Sequence, residues 1–193
     1  MLIKKEKGEY GYLKYKKTVL IFGFFGVLLA SVGIFVLGLA LNKWEARNVF
    51  TVLSILGVLP GAKVLTLLIV VFPNKCISGE EKNFIEGLLK PGDIVFYDPV
   101  FTSRERPMHL DAIVVTGHQI IGYSTQKKDK LDKTEKYFKT ECENRKLDHV
   151  CFLTDSSKAL SNRFRMRSEE ETLTEKQQAD RNGVLEFIRT AIV

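Results

Sequence analysis

The sequence predicts a two-helix membrane hairpin carrying a cytosolic α/β domain, and three observations predict it. Residues 18–41 contain no charged side chain, and residues 49–72 contain one, Lys63. A helix needs about 20 apolar residues to cross a hydrocarbon core of ~30 Å, so each run is long enough. The polar link between the runs, residues 42–48, is too short to be a domain, which makes the pair an antiparallel hairpin. About 120 residues follow, enough for one domain with its own core. The expected division is a basic arm at 1–17, a transmembrane hairpin at 18–72 and an α/β domain at 78–193.

The arm holds six lysines against two glutamates. Positively charged flanks translocate poorly, so the arm reads as a topology signal that keeps both termini in the cytoplasm. Its lysines also suit anionic lipid headgroups, and Tyr10, Tyr12 and Tyr15 suit the membrane interface. The apolar run is too long for a cleavable signal peptide. The expected setting is a multi-pass protein of a bacterial plasma membrane.

In the first span, Gly23, Gly26, Ala30 and Gly33 offer small side chains, and the second carries Gly57 and Gly61 at a GxxxG spacing. Small residues let helix backbones approach in lipid, so Gly26, Ala30, Gly57 and Gly61 are the expected packing residues of the hairpin. Trp44 in the link suits the outer interface. Pro60 removes a backbone donor within the second span, and Lys63 is costly at membrane depth unless hydrated, paired or snorkelling. Neither span offers Lys63 an acidic partner, so snorkelling is the expected behaviour and a polar membrane site at Pro60 and Lys63 the alternative.

Beyond the spans, Ser78 followed by Glu80 and Glu81 marks a helix start, with Phe84, Ile85, Leu88 and Leu89 on its apolar side. Pro91-Gly92 signals a turn. Strands are expected over 93–101, 110–115 and 120–124, with Gly117-His118 as a hairpin turn and Arg104, Glu105, Arg106 and Pro107 in a loop. A charged helix over 129–146 presents Leu131, Phe138 and Cys142, and residues 149–153 read as a buried strand. A helix over 156–167 and a polar segment over 168–178 follow. Val184, Leu185, Phe187, Ile188, Ala191 and Ile192 recur at helical spacing in a final amphipathic helix.

The segment from His109 through Asp111 to Val115, with Gln119 through Ser124 to Gln126, resembles the core of restriction-endonuclease-like domains. It is most similar to the nuclease-related domain, NERD, over roughly residues 80–155. The resemblance implies a three- to four-stranded sheet flanked by helices, with Asp111 at the metal-binding Asp of the family. It puts Ser124 where the family has Glu and Gln126 where it has Lys, with Glu81 or Glu86 as the helix carboxylate. Hydrolysis of a phosphodiester in that family needs two carboxylates on a hard divalent ion, and Ser124 cannot supply the second. The resemblance therefore implies a degenerate site.

The expected function is a membrane-tethered, non-enzymatic binding or scaffold module without a cofactor. Its partners would be the lipid bilayer and a protein or anionic polymer at the cytoplasmic face; nucleic acid is the less favoured ligand. The alternative is a nuclease using Mg²⁺ or Mn²⁺, with Asp111 joined by Glu86, Asp98 or Asp93. His109, His118 and His149 read as isolated, with no zinc spacing. The clusters Lys127-Lys128-Asp129-Lys130 and 163–167 read as solvated basic faces. Three cysteines without a CxxC pair, Cys76, Cys142 and Cys151, are expected to be reduced.

Overall fold

The computed structural model describes residues 5–102, 107–125, 128–167 and 174–193. Arg104, Glu105, Arg106, Gln126, Lys127 and the start of the expected polar segment at 168–173 lie outside the described residues, as do the side chains of Lys128 and Asp129. The chain divides into two compact units. One is Lys14–Asn74; the other joins Lys75–Val193 to the opening of the chain through Leu13.

The first unit is a helical hairpin. Helix α1 spans Tyr12–Leu41 and α2 spans Val49–Val71. Both are long and apolar enough to cross a membrane, and only 11% and 17% of their most apolar windows is buried, unlike the core helices of a water-soluble fold. Helix α1 starts before the expected Thr18 because nothing among Lys14, Tyr15, Lys16 and Lys17 breaks a helix. Helix α2 continues through Pro60.

The seam between the helices is read from the glycines. A Cβ on Gly57 would meet Ser31 Oγ at 3.0 Å, one on Gly61 Val27 Cγ1 at 3.3 Å, and one on Gly23 Val64 Cγ1 at 3.9 Å. Rising numbers on α1 meet falling numbers on α2, the signature of an antiparallel pair. Buried and half-buried positions recur near a 3.5-residue period: Leu20, Phe24, Val27 and Ser31 on α1, Ser54, Gly57, Gly61 and Val64 on α2. Asn48 caps α2 by accepting from Thr51 N at 2.9 Å, and its amide reaches Gly38 O on α1 at 3.3 Å. At the open end Lys17 Nζ donates to Asn74 O, so both connections leave the hairpin at one end.

The second unit is an α/β domain. Its elements are α3 (Gly79–Glu86), β1 (Ile94–Tyr97), β2 (Val100–Thr102), β3 (Pro107–His109), β4 (Ala112–Val115) and β5 (Gln119–Tyr123). They are followed by α4 (Lys128–Asn144), β6 (Val150–Thr154), α5 (Ser157–Arg165) and α6 (Glu175–Ala191). A four-stranded sheet has the order β1-β4-β5-β6. The β1/β4 and β4/β5 pairs are antiparallel, and β5/β6 is parallel through the α4 crossover. Strands β2 and β3 form a separate antiparallel pair.

One face of the sheet shows Tyr97, Ala112, Val114, Ile121 and Tyr123, packed with Ile77, Ile85, Leu160 and Phe164 from α3, α5 and the segment before α3. Alternation places Phe96, Ile113, Val115, Ile120 and Cys151 on the other face, toward α4 and α6. There Phe138 stacks edge-on against Phe101 at 5.2 Å and Phe187 at 6.0 Å.

Three expected elements differ. The strand over 93–101 is two strands in two sheets, because Asp98 takes φ 49° and Pro99 has no N–H to continue the ladder. The helix after Ser78 stops at Gly87, short of Leu89, while its start at Ser78 is as expected and forms a capping box: Glu81 N donates to Ser78 Oγ at 3.1 Å. The last helix begins at Glu175, inside the expected polar segment, and Gln177 accepts from Thr174 N at 2.7 Å. Part of the basic arm also belongs to this domain. Tyr97 N donates to Gly8 O at 2.8 Å, which covers the outer edge of β1.

Candidate functional site

The residues nominated by the sequence meet where β4 begins and β5 ends. Asp111 precedes β4 and Ser124 follows β5, and the pairing of Ala112 with Tyr123 sets them side by side. Asp111 N donates to Tyr123 O at 2.9 Å, and Ser124 N donates to Thr154 O at 3.1 Å on the parallel neighbour. Asp98, at the end of β1, donates its N–H to Asp111 O at 3.0 Å. The three strand ends thus bring Asp98, Asp111 and Ser124 into one buried group, with Ser124 fully enclosed.

The carboxylates in this group are engaged by neutral donors. Asp111 Oδ2 accepts from Thr125 N at 2.5 Å and from Thr125 Oγ1 at 2.9 Å. Asp98 Oδ1 accepts from Ile77 N at 2.7 Å. Burial raises the Tyr123 phenol above its usual range, and the carboxylates of Glu81, Asp111 and Asp155 raise it further. Glu81 and Asp155 therefore join Asp111 around this ring. Asp155 and Thr125 were not singled out by sequence reasoning; the signal was that each sits just past the end of a strand beside Asp111.

The other nominated carboxylates lie elsewhere. Glu86 accepts from Tyr97 OH at 3.1 Å, on the face opposite to that of Phe96 and Ile113, and pairs with Lys82 at 2.9 Å. Burial pushes the Tyr97 phenol well above its usual range, and the Glu86 carboxylate adds to this. Asp93 stands at the start of β1, a strand's length, roughly 16 Å, from Asp98. It is held by both guanidinium nitrogens of Arg167, at 2.8 and 2.9 Å. Each is thus engaged by a partner of its own. Among the described residues no group of three His, Cys, Asp or Glu side chains could hold a metal ion.

The basic cluster at 163–167 is largely spent inside the fold. Arg163 Nε donates to Gln119 Oε1 at 3.0 Å and its guanidinium lies 5.3 Å from the Phe152 ring, while Arg167 is bound to Asp93. Only Arg165 of these three is exposed. The histidines are less isolated than their spacing suggested. His118 and Asp180 both act on His149, whose pKa is lowered first by burial; Asp180 opposes that shift.

In the hairpin, Gly57 and Gly61 line the seam, but Gly26 has nothing within 4 Å of an added Cβ, and Ala30 is exposed. Those two face away from α2 because the contact stripe follows Phe24, Val27 and Ser31. Pro60 and Lys63 are both exposed on the outward side of α2.

No protein-family model, curated protein or solved structure matches the chain. The arrangement of its own residues is therefore what a functional reading rests on.

Proposed function

We propose that this chain is a membrane-tethered, non-enzymatic binding or scaffold module, with both termini on the cytoplasmic side of a bacterial plasma membrane. Its α/β domain is read as a degenerate nuclease-like core that engages a protein or an anionic polymer. The observation that carries the reading is the state of Asp111. Its Oδ2 already accepts two hydrogen bonds from Thr125, and fully buried Ser124 stands beside it where the nuclease-like pattern calls for a second carboxylate. A hard divalent ion takes six or more oxygen ligands, and this group offers two carboxylates, Asp111 and Asp98, each already accepting from a backbone N–H. The order helix, strand, antiparallel hairpin, helix, strand, with Asp111 just before β4, supports the reading once the inserted pair β2 and β3 is set aside.

The test uses the full chain in detergent. Calorimetry with Mn²⁺ should give no binding heat, and neither single- nor double-stranded nucleic acid should be cut with Mg²⁺ or Mn²⁺. Metal-dependent cleavage that Asp111→Ala abolishes would replace this reading with the nuclease alternative. Topology is tested separately in a cysteine-free background. With an impermeant thiol reagent on intact cells, Trp44→Cys should label, and Lys5→Cys and Asn182→Cys should not.

A further inference from the structure

Two of the cysteines meet in the layer between sheet and helix. Cys142 lies near the end of α4 and Cys151 in β6; both are buried free thiols, whereas Cys76 is exposed. The register pairs Cys151 with Ile120, which sets it on the sheet face toward α4. Phe138, one turn before Cys142, is fully buried and fixes the same side of α4 against that face. Both thiols thus lie in the layer between α4 and β6, and each acts on the other's ionisation.

We propose that Cys142 and Cys151 form a redox pair, closed by peroxide into an intramolecular disulfide that clamps α4 to β6. The chemistry balances in two steps. The Cys142 thiolate attacks a peroxide oxygen, giving a sulfenic acid and releasing water. The Cys151 sulfur then attacks the Cys142 sulfur, the S–S bond forms, and a second water leaves. Two thiols give up two electrons and two protons, and one hydrogen peroxide becomes two waters.

The order of attack follows from the surroundings. The Cys151 side chain lowers the pKa of Cys142, while Cys142 and burial raise that of Cys151. Nucleophilic and resolving roles are thereby divided. Strand β6 is an edge of the sheet, Val150 beside Cys151 is 55% exposed, and the half-exposed Lys139 acts on the Cys151 thiol. The pair thus lies one residue layer below solvent, within reach of a small peroxide.

The test treats the full chain in detergent with hydrogen peroxide, then alkylates it under denaturing conditions. The expected result is a single alkylated cysteine, Cys76, a Cys142–Cys151 cross-linked peptide on mass mapping, and full reversal by dithiothreitol. The melting temperature should rise by a few degrees on oxidation in the wild type and in Cys76→Ser. It should not rise in Cys142→Ala or Cys151→Ala. Three alkylatable thiols after peroxide, over-oxidation without a cross-link, or bridges through Cys76 alone would each overturn the proposal. Peptide mapping of the wild type decides the matter even where an alanine variant does not fold.

Discussion

In the hairpin many large apolar side chains point outward and close helix contacts fall at small residues; in the α/β domain the large apolar side chains fill the core. Phe22, Phe25 and Leu29 of α1 are 69%, 60% and 78% exposed, while Ser31 and Gly61 fill the seam. Phe101, Phe138 and Ile113 of the domain are fully buried. The difference is the one expected where the hairpin faces lipid and the domain faces water. Against lipid tails an outward Leu costs nothing, and helices gain most by close approach of small residues. Against water the same Leu would leave unburied area worth ~25 cal/mol per Å².

The largest test of the contrast removes one large side chain from each unit. Phe138→Ala should destabilise the domain by about 4 kcal/mol through the lost burial and the cavity left among Phe101 and Phe187. Leu29→Ala, at an outward position, should change stability by less than ~0.5 kcal/mol. Urea titration followed by circular dichroism reads both. Equal effects would mean that the outward face of α1 is packed against protein.

A second test concerns charge, which only the domain buries in a pair. The Asp93 and Arg167 side chains are 3% and 9% exposed and make a bidentate contact. Asp93→Ala leaves the guanidinium buried without its partner, at a cost of about 3 kcal/mol. Asp111→Asn keeps an acceptor for Thr125, so about 1 kcal/mol is expected. A larger loss at Asp111 than at Asp93 would reverse the division between a structural acid and a site acid.

The third test lies within the hairpin. Gly57→Val places a Cβ 3.0 Å from Ser31 Oγ, and overpacking of this kind costs about 2 kcal/mol. Gly26→Val meets open space and should be silent. Crosslinking between cysteines placed at Val27 and Gly61 reports the seam: it should fall in the first variant and persist in the second.

These pairs also mark how far the sequence could be read. The two spans were legible because length and charge depletion decide them without any partner. The seam was only half legible. Small residues lie on more than one side of α1, and which side meets α2 depends on helix rotation: Gly57 and Gly61 lie in the seam, and Gly26 and Ala30 do not. In the domain, the strands at 110–115 and 120–124 and the helix start at Ser78 were visible locally. The break at Asp98 was not, although Pro99 hinted at it. Among the site residues, Asp111 and Ser124 were paired only through the family resemblance, and the register sets them side by side. That Asp93 belongs to Arg167, 74 residues away, could not be read, because ion-pair partners carry no local signal.

The smallest expected effect is one of pH, and it separates the units because α1 and α2 contain no histidine or carboxylate. His149 has its folded pKa lowered below 6.5 by burial, with His118 acting in the same direction and Asp180 against it. The sign follows from linkage. Above 6.5 both folded and unfolded chains hold His149 neutral, and no proton is exchanged on unfolding. As pH falls through 6.5 the unfolded chain takes up the proton first, so stability declines until the folded pKa is passed. One proton allows a slope of at most ~1.4 kcal/mol per pH unit. The domain's urea midpoint should therefore drop between pH 7.5 and 5.5, and His149→Gln should flatten the curve. A parallel decline in both proteins would assign the effect to another group, and a rise in the wild type would mean that Asp180, not burial, governs this histidine.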